Sequence, residues 1–553
     1  MLKRLVFLAV FAGSSLAFAD PRIAWDVPSS GGLVDVIIRF KAPPSSNDLK
    51  NLGPFGQIKK TLNLINAVHI SVPPQLIPLI AKLPGIAYIS PNRPMKGSLD
   101  ITTQTVNANL VWPLGYTGTG VGVAVIDSGV ALRHDLTGPN GATSRVVYSQ
   151  NFVSGQDTTD GYGHGTHVAG IIGGNGDDST GSLFSRTFKG VAPNVNIISL
   201  KVLDQYGNGQ EADVISAIQT AIALKNAYNI RVINLSLGRP VFESYTLDPL
   251  CQAVEAAYQA GIVVVAAAGN YGRDNSRNTR GYGTIASPGN DPYVITVGAT
   301  NAKGTPSPYD DQIASYSAKG PTAIDHIVKP DIVAPGNGVV SLLASTSCTL
   351  YAHSNLTHVS NTYDMVGTSG TSTSYLKLSG TSMATPVVAG AAALLIQKTP
   401  SLTPDQVKER LMRSARKILP AYMSSIDVIT FNSYSMIADI FTVGAGYLDI
   451  NAALQNNDLI NVPAMSPSVI YNSSTRQVLL SSNFATVLGL DDSVVWGDSV
   501  LTGALVAGLN VIWAADDSVV WGDSTSLGFS VVWGDTISGT TTLTAMSDDD
   551  SDQ

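Results

Sequence analysis

Ser382 is a candidate nucleophile. It lies in GTSMATPVVAG, residues 380–390, where a small hydroxyl-bearing turn leads into the apolar run 387–397 that is typical of a buried helix. Pro386 is well tolerated in a first helical turn, so Ser382 is expected at the helix N-terminus, where the dipole and free N–H groups favour negative charge. A serine hydroxyl attacks only with a base to take its proton and donors for the resulting oxyanion. A serine that merely caps the helix is the alternative.

Two further segments hold groups that such chemistry needs. VAVIDSG, residues 123–129, carries Asp127 after an apolar run, and GHGTHVAG, residues 163–170, carries His164 and His167. Together with GTSMATP, these segments resemble the catalytic blocks of subtilisin-like serine proteases, the subtilases, in that family's chain order Asp, His, Ser. The resemblance extends from about residue 106 to about residue 454.

The resemblance implies a catalytic triad. His164, the first histidine of HGTH, is the base that takes the proton of Ser382, and imidazole changes its protonation near neutral pH. Asp127 orients that histidine, since a carboxylate at the end of a buried strand needs a partner. An aspartate that caps the following turn is the alternative for Asp127. His167 is expected to be a structural histidine.

The resemblance also implies residues for the oxyanion and the substrate. VVVAAAGN, residues 263–270, resembles the segment whose final asparagine donates to the oxyanion, which gives that role to Asn270 together with the backbone N–H of Ser382. A plain turn residue is the alternative for Asn270. Two other segments resemble those that flank the substrate as extra strands, so that main-chain hydrogen bonds hold an extended peptide. The substrate-binding residues implied are Gly207, Asn208, Gly209, Ser236, Leu237, Gly238, Ala267 and Gly269.

The elements that must position these groups alternate between strand and helix. Apolar runs without polar alternation are typical of strands buried on both faces, and they occur at 121–126, 195–200, 230–234, 262–268 and 293–297. Helical stretches are expected at 167–172, 211–227 and 249–260. The pattern predicts an α/β fold, a doubly wound parallel sheet with helices on both faces. Because ligands bind beyond the carboxyl ends of such strands, Asp127 and Asn270 are expected on one rim.

Residues 1–19 are predicted to be a signal peptide. Lys3 and Arg4 precede a short apolar run, and Ala17-Phe18-Ala19 forms a small-residue cleavage site, a pattern that predicts secretion. A membrane anchor is the alternative, but the run is shorter than the roughly 20 residues that cross a bilayer. The rest of the sequence contains no run long and apolar enough to span a membrane.

Residues 20–97 are predicted to form a small α+β unit. Strands are expected at 32–40, 62–72 and 86–89, and a short helix at 75–83. The unit resembles the ferredoxin-like inhibitory propeptide of subtilases, which implies that the chain's own propeptide is an intramolecular inhibitor. An ordinary hinge between domains is the alternative for the linker that follows it.

The predicted catalytic domain, residues 98–455, is followed by a repetitive tail, residues 456–553. SVVWGD occurs at 493–498, 518–523 and 530–535, with a related NVIW at 510–513. Each unit is predicted to form a short strand and a turn, which gives a β-rich tail. The tail is either a small module that binds a surface or polymer, or a segment removed in maturation.

Composition limits the partners and cofactors. The net charge of −8 and a charged fraction of 13% exclude the basic footprint of a nucleic-acid-binding protein. The two cysteines, Cys251 and Cys348, are either bridged or free, and the sequence does not decide between them. Triad chemistry requires no cofactor. A structural calcium ion is possible, because three residues with oxygen ligands fall where subtilases often bind it, and a solvated acidic turn is the alternative; these residues are Asp135, Asn175 and Asp177.

These features predict a secreted serine endopeptidase that works through a Ser-His-Asp triad and an acyl-enzyme intermediate. Its substrates would be proteins or peptides, with broad specificity and a preference for large apolar side chains, because small residues line the expected primary pocket. The alternative is a non-catalytic exported binding protein that uses the C-terminal repeats on a protease-like scaffold.

Overall fold

The computed structural model describes residues 20, 22–24, 27, 31–91, 101–138, 141, 143–276, 279–366, 368–427, 430–472, 477–480, 511–513, 519–521 and 543–545. The predicted signal peptide lies outside the described residues, as do the SVVWGD units at 493–498 and 530–535. The chain divides into two compact units, residues 1–96 and 97–553.

The N-terminal unit is an antiparallel sheet with two helices. Its strands are β1 (Val34–Phe40), β2 (Gln57–Leu62), β3 (Ala67–Val72) and β4 (Ile86–Pro91), and its helices are α1 (Ser46–Leu52) and α2 (Ile77–Ile80). The elements follow one another as βαββαβ, and the strand order is β2-β3-β1-β4. Along β1, Val36, Ile38 and Phe40 are buried, so alternate side chains build the core of this unit.

The structure corrects three expectations for this unit. The run 62–72 was expected to be one strand, but the turn 63–65 interrupts it, and Asn66 adopts a left-handed conformation with φ of 52°. β2 therefore ends at Leu62 and β3 begins at Ala67. The helix expected at 75–83 is a short 3₁₀ turn followed by α2. Helix α1 was missed, although Ser45 and Asp48 cap it reciprocally.

The second unit contains all the residues predicted to do chemistry. Its strands in chain order are β5 (Gly122–Asp127), β6 (Val146–Asn151), β7 (Asn196–Lys201), β8 (Asn208–Gly209), β9 (Ile230–Leu235), β10 (Leu237–Gly238), β11 (Val263–Ala267), β12 (Ile295–Asn301), β13 (Gln312–Ile313), β14 (Ile332–Pro335), β15 (Val339–Leu342), β16 (His358–Ser360), β17 (Thr371–Leu378), β18 (Tyr422–Ile426), β19 (Ser433–Ile437), β20 (Val469–Asn472), β21 (Gln477–Leu480), β22 (Val511–Trp513), β23 (Val519–Trp521) and β24 (Leu543–Ala545). Its helices are α3 (Ile101–Thr105), α4 (Ala108–Val111), α5 (His164–Gly173), α6 (Glu211–Ala223), α7 (Lys225–Tyr228), α8 (Pro249–Gln259), α9 (Thr349–His353), α10 (Asn361–Asp364), α11 (Thr381–Lys398), α12 (Pro404–Arg413) and α13 (Ile450–Gln455).

A large, mostly parallel sheet forms the centre of this unit. Its order is β13-β12-β11-β9-β5-β7-β6, with β14 also paired to β12, and β13 alone runs antiparallel to its neighbour. Side chains alternate across β5: Val123 and Val125 join the core beneath α5 and α11, whereas Ala124 and Ile126 join the core beneath α6 and α8. The predicted α/β sheet with helices on both faces is confirmed.

The repetitive tail, residues 456–553, contributes five described strands, of which β20 and β21 pair with each other. β22 lies within the NVIW segment, and β23 lies within the second SVVWGD unit. The two strands pair antiparallel. β24 lies between β8 and β10 in a separate three-stranded sheet. Within the described ranges, every helix is too short or too polar to cross a membrane.

Candidate active site

Asp127 and His164 meet where β5 ends and α5 begins. Both side chains are completely buried. Nδ1 of His164 lies 2.8 Å from Oδ1 and 3.0 Å from Oδ2 of Asp127. The other ring nitrogen, Nε2, is buried and has no hydrogen-bond partner among the residues that the structure describes. The carboxylate thus fixes the orientation of the imidazole and leaves Nε2 able to take a proton from a hydroxyl.

Asp160 anchors the start of α5, although no motif in the sequence indicates this role. Its Oδ1 accepts hydrogen bonds from the backbone N–H of Gly163 and the hydroxyl of Ser128, at 2.7 and 2.8 Å. Its Oδ2 accepts from both the N–H and the hydroxyl of Thr166, at 2.8 and 2.6 Å. Burial raises the pKa of this carboxyl. Asp160 thereby satisfies the free donors at a helix N-terminus and holds the helix that carries His164.

Gly165, the second residue of HGTH, lets α5 approach β5 closely, a role that the motif alone does not reveal. A Cβ atom at this position would lie 2.2 Å from the carbonyl oxygen of Gly129 and 3.1 Å from Cβ of Asp127. A side chain there would push α5 away from β5 and lengthen the contact between His164 and Asp127. The glycine between the two histidines of HGTH was a signal for this close approach.

Ser382 is the second residue of α11 and is fully buried. Its Oγ donates a hydrogen bond to the carbonyl oxygen of Ser236 at 3.0 Å. In return, the hydroxyl of Ser236 donates to the carbonyl oxygen of Ser382 at 2.9 Å, and Nδ2 of Asn234 donates to Oγ of Ser236 at 2.9 Å. The candidate nucleophile is therefore held against the end of β9.

The position of Pro386 explains part of this arrangement and corrects an expectation. Pro386 was expected in the first turn of the helix, but α11 begins at Thr381, so the proline is the sixth helical residue. Proline has no N–H to donate to the carbonyl four residues earlier, which belongs to Ser382. The hydroxyl of Ser236 donates to that carbonyl instead. The proline thus frees the Ser382 carbonyl for a contact that ties α11 to β9.

Asn270 is oriented by Thr381. Its Oδ1 accepts the backbone N–H of Thr381 at 2.9 Å and the Thr381 hydroxyl at 3.0 Å. A backbone N–H can only donate, so the amide atom that faces it must be the oxygen, and the NH₂ group points the other way. The Thr381 hydroxyl also accepts the N–H of Gly269 at 3.2 Å. Thr381, which lies directly before the candidate nucleophile, thereby couples Asn270 to the start of α11.

The predicted substrate-binding residues lie on two short strands and at the end of β11. Asn208 and Gly209 form β8, whereas Leu237 and Gly238 form β10. Gly207 precedes β8 with φ of 81°, and a Cβ atom there would lie 2.7 Å from the Tyr162 ring. Ser236 precedes β10 and contacts Ser382 as described above. Ala267 is the last residue of β11, and Gly269 follows it with φ of 111°.

His167 is a structural histidine, as expected. It is fully buried, and its Nε2 lies 3.1 Å from the carbonyl oxygens of both Val339 and Leu376. Burial, with a smaller contribution from the charge of His164, lowers the pKa of His167 to about 3. The His167 ring is therefore neutral near neutral pH. It can donate from Nε2 between the two carbonyl groups, which suits a structural role and not that of a second base.

Cys251 and Cys348 are both buried and free, so the disulfide alternative is wrong. Sγ of Cys251 lies 3.4 Å from Oδ1 of Asn290. Cys348 packs against the turn before His164, where a Cβ atom on Gly163 would lie 2.6 Å from its sulfur. Burial raises the pKa of the Cys348 thiol.

The oxygens of the predicted calcium site already have other partners. The Asp135 carboxylate is completely buried and accepts the N–H of Asp178 and the hydroxyl of Tyr375, at 2.7 and 2.8 Å. Burial raises its pKa to about 6. The Asn175 amide donates to the Asp177 carboxylate at 2.8 Å and accepts the Asp177 backbone N–H at 2.9 Å. This donor set does not fit an oxygen-rich calcium cage. The alternative of a solvated turn is wrong for Asp135.

Within the described ranges, a cluster of three residues that includes Asp135 has the ligand types for a metal ion. Ligand atoms of His134, Asp135 and Asp178 lie within 4.8 Å of one another. Nδ1 of His134 pairs with the Asp178 carboxylate at 3.3 Å. Calcium prefers oxygen ligands, so this cluster matches it poorly: His134 offers a ring nitrogen, and the Asp135 carboxylate already accepts two hydrogen bonds.

The chain is similar to members of one protein family. The family model described as "Subtilase family" matches residues 118–445. The chain is 37% identical over 371 residues to the serine protease AprX of Bacillus subtilis (strain 168), which covers 65% of this chain and 76% of that protein. It is 36% identical over 352 residues to subtilisin DY of Bacillus licheniformis, covering 63% of this chain and 96% of that protein. It is 32% identical over 403 residues to subtilisin E of Bacillus subtilis (strain 168), and the match covers 72% of this chain and 84% of that protein.

The family model spans more than half of the chain, and the relatives are matched over most of their own length. The enzyme interpretation therefore holds over the alternative of a non-catalytic binding protein. The chain belongs to the subtilase family and is a subtilisin-like serine endopeptidase.

Proposed function

We propose that the protein is a secreted endopeptidase that cuts peptide bonds with Ser382 as nucleophile, His164 as base and Asp127 as the group that orients the base. The observation that carries this proposal is the buried imidazole, bonded through Nδ1 to Asp127 at 2.8 Å with Nε2 left to receive a proton. Secretion rests on the predicted signal peptide, residues 1–19.

The proposed reaction has two halves. Oγ of Ser382 attacks the carbonyl carbon of the substrate while Nε2 of His164 takes the hydroxyl proton. The imidazolium gives that proton to the leaving amine, and an acyl-enzyme ester remains on Ser382. Water then attacks the ester with His164 again as base, which releases the acid product. The buried Asp127 carboxylate stabilises the imidazolium in both halves, since their contact excludes water.

We further propose that Asn270 and the backbone N–H of Ser382 stabilise the oxyanion. Ser382 is the second residue of α11, and the backbone N–H groups at a helix N-terminus point toward an anion placed there. Thr381 binds Oδ1 of Asn270, which turns the NH₂ group into the donor position. Both donors are fixed before the charge develops, which is the arrangement that lowers the barrier most.

The oxyanion proposal predicts a selective loss of turnover in Asn270→Ala. We expect kcat to fall by about 10² to 10³, as it does in subtilisin when the equivalent donor is removed, with KM nearly unchanged because the donor acts mainly in the transition state. Thr381→Val is the graded control, since it removes the hydroxyl contact and keeps the N–H contact, and its kcat should fall less. A large rise in KM with kcat unchanged would instead make Asn270 a ground-state binding residue.

Substrate binding is proposed to occur by strand addition between β8 and β10. Both strands have two residues, so an extended peptide can pair with their backbone groups whatever its sequence. Ala267 and Gly269 leave room beside the nucleophile for a large apolar side chain. Broad specificity with an apolar preference is therefore the proposed behaviour.

We propose that residues 20–97 are an inhibitory propeptide. The support is a separate compact unit with its own buried core and βαββαβ order, placed directly before the catalytic unit in the chain. After β4 ends at Pro91, the connection to that unit begins with Asn92-Arg93-Pro94, a polar segment suited to enter a cleft as the first substrate.

This proposal predicts a cut between residues 92 and 103. N-terminal sequencing of purified wild type should find a new terminus in that window, whereas Ser382→Ala should keep the segment attached. Residues 20–97 supplied separately should inhibit the mature enzyme, and adding the same molar amount of an unrelated small protein is the control. An active wild type that still begins at Asp20 would refute the propeptide proposal and leave the triad untouched.

A further inference from the structure

Arg239 lies at one end of the proposed substrate groove and connects its two edges. It directly follows Gly238, the last residue of β10. Its guanidinium donates from Nε to Oε2 of Glu211 at 3.0 Å and from Nη2 to Oε1 of the same carboxylate at 3.2 Å. Glu211 is the first residue of α6 and lies two positions after Gly209, the last residue of β8. The ion pair therefore joins the segment after one edge strand to the segment after the other.

The arginine has fixed partners on its own side of the groove. Its side chain is buried, and Nη2 also donates to Oδ1 of Asp248 at 2.9 Å, the oxygen that caps the N-terminus of α8. The Arg239 backbone exchanges two hydrogen bonds with Ser287, at 3.0 and 2.8 Å. The Ser287 hydroxyl donates to Oδ2 of Asp248 at 2.7 Å. Because its backbone and its side chain are both held, Arg239 presents its guanidinium to Glu211 from a fixed position.

The other half of the pair is more exposed, and this decides what the pair can do. The Glu211 side chain is 27% exposed, against 3% for Arg239. Partly exposed ion pairs contribute little to the stability of a fold. Two parallel N–H to oxygen bonds nevertheless fix direction as well as distance. The expected effect of the pair is therefore on where α6 begins, and with it on the position of β8, more than on unfolding.

The pair lies away from the bond that is cut. Ser236, whose carbonyl oxygen accepts the Ser382 hydroxyl, precedes Arg239 by three residues. An extended chain advances about 3.3 Å per residue, so Arg239 lies about 10 Å along the groove from the nucleophile. One strand separates β10 from β8 in the sheet β10-β24-β8, so the gap between these edges is one strand wide. A peptide can bond to both edges only while that spacing is kept.

We propose that Arg239 is a positioning residue: its ion pair with Glu211 sets the spacing of β8 and β10 and makes the enzyme selective for peptides long enough to reach this end of the groove. This inference rests on the proposed function, which assigns both strands to the substrate. Loss of the pair lets β8 move away from β10, so a substrate residue about 10 Å from the cut bond loses one of its two edges. The contact between His164 and Asp127 and the hydrogen bond of Ser382 do not involve the pair, so the chemical step is unaffected.

The test compares two chromogenic anilide substrates with the same apolar residue before the cut bond. One is a single blocked amino acid, and the other is a blocked tetrapeptide that reaches Arg239. Wild type should have a KM several-fold lower for the tetrapeptide. Glu211→Ala should raise that KM several-fold and leave kcat unchanged, because the lost contact is the same in the ground state and the transition state. Both constants for the single amino acid should match wild type.

Two further variants separate the pair from its charge. Glu211→Gln should lie between wild type and Glu211→Ala, since an amide oxygen still accepts one N–H of Arg239. Arg239→Lys should resemble Glu211→Ala, because an ammonium group lacks the planar fork that binds both oxygens of a carboxylate. All the variants should unfold close to the wild-type temperature.

Glu243→Ala is the matched control. The Glu243 carboxylate lies 3.6 Å from Nη2 of the same arginine, but the residue belongs to the connection between β10 and α8 and does not adjoin β8. Its kinetics should match wild type with both substrates. If Glu243→Ala and Glu211→Ala raise the tetrapeptide KM equally, charge around the arginine is responsible and the proposal is wrong.

Other results would also overturn the proposal. The first is an unchanged tetrapeptide KM in Glu211→Ala. The second is an equal loss on both substrates, which is the result of a general structural defect. If wild type hydrolyses neither substrate, the proposed catalytic function fails instead, so the two failures are distinguishable.

Discussion

Ser382→Ala is expected to lower kcat for peptide hydrolysis by about six orders of magnitude, the cost of losing the nucleophile in subtilisin. The residual rate comes from the oxyanion donors and binding alone. The fold should survive, because the substitution removes one hydroxyl and its hydrogen bond to Ser236, worth about 1 kcal/mol. Steady-state kinetics and thermal unfolding of purified protein measure the two effects separately.

Ser369→Ala is the matched control for this variant. Ser369 lies in GTSGTS, a second Gly-Thr-Ser segment, but it is exposed and precedes β17 instead of opening a helix. We expect wild-type kinetics from Ser369→Ala. Loss of activity in Ser369→Ala together with full activity in Ser382→Ala would move the nucleophile to the other segment.

Asp127→Asn is expected to lower kcat by about four orders of magnitude with little change in KM, as the equivalent change does in other Ser-His-Asp enzymes. The Asp127 carboxylate accepts Nδ1–H of His164 through both oxygens, at 2.8 and 3.0 Å. An amide in its place favours the tautomer with a proton already on Nε2, which cannot take the proton of Ser382. It also removes the buried charge that stabilises the imidazolium.

Asp325→Asn is a suitable control for the loss of a carboxylate. Asp325 accepts the Ser244 hydroxyl and the Tyr245 N–H, far along the chain from the triad, and an asparagine can still accept one of these bonds. Its kcat should stay within a few-fold of wild type. A loss of less than ten-fold in Asp127→Asn would show that the aspartate only caps its turn.

The residues of the predicted triad and the sheet that carries them were predictable from sequence because their signals are local. Asp127 directly follows an apolar run, and His164 and Ser382 each lie in the first turn of a helix, next to a glycine-containing turn. Parallel strands buried on both faces give continuous apolar runs, so the strand order around β5 was the remaining unknown. Strands that end on the same side of the sheet then bring Asp127 and Asn270 to one rim.

The supporting residues were not predictable because their partners are distant in sequence. Asp160 accepts the hydroxyl of Ser128, 32 residues earlier, and Thr381 orients an amide 111 residues away. Pro386 was expected in the first turn of α11 but lies in the second. Nothing close in sequence indicated that the Ser236 hydroxyl would donate to the Ser382 carbonyl in place of the N–H that proline lacks. Whether Cys251 and Cys348 are bridged likewise depends on how the two side chains pack in the fold, which the number of residues between them does not reveal.

The most direct test of the catalytic assignment is the site of covalent labelling. Phenylmethylsulfonyl fluoride reacts with an activated serine hydroxyl, and peptide mapping by mass spectrometry locates the label. We predict one label on Ser382 that matches the loss of activity, no label in Ser382→Ala, and unchanged labelling in Ser369→Ala. A label on Ser369, or an active enzyme that resists the reagent and is inhibited by a metal chelator, would contradict the assignment.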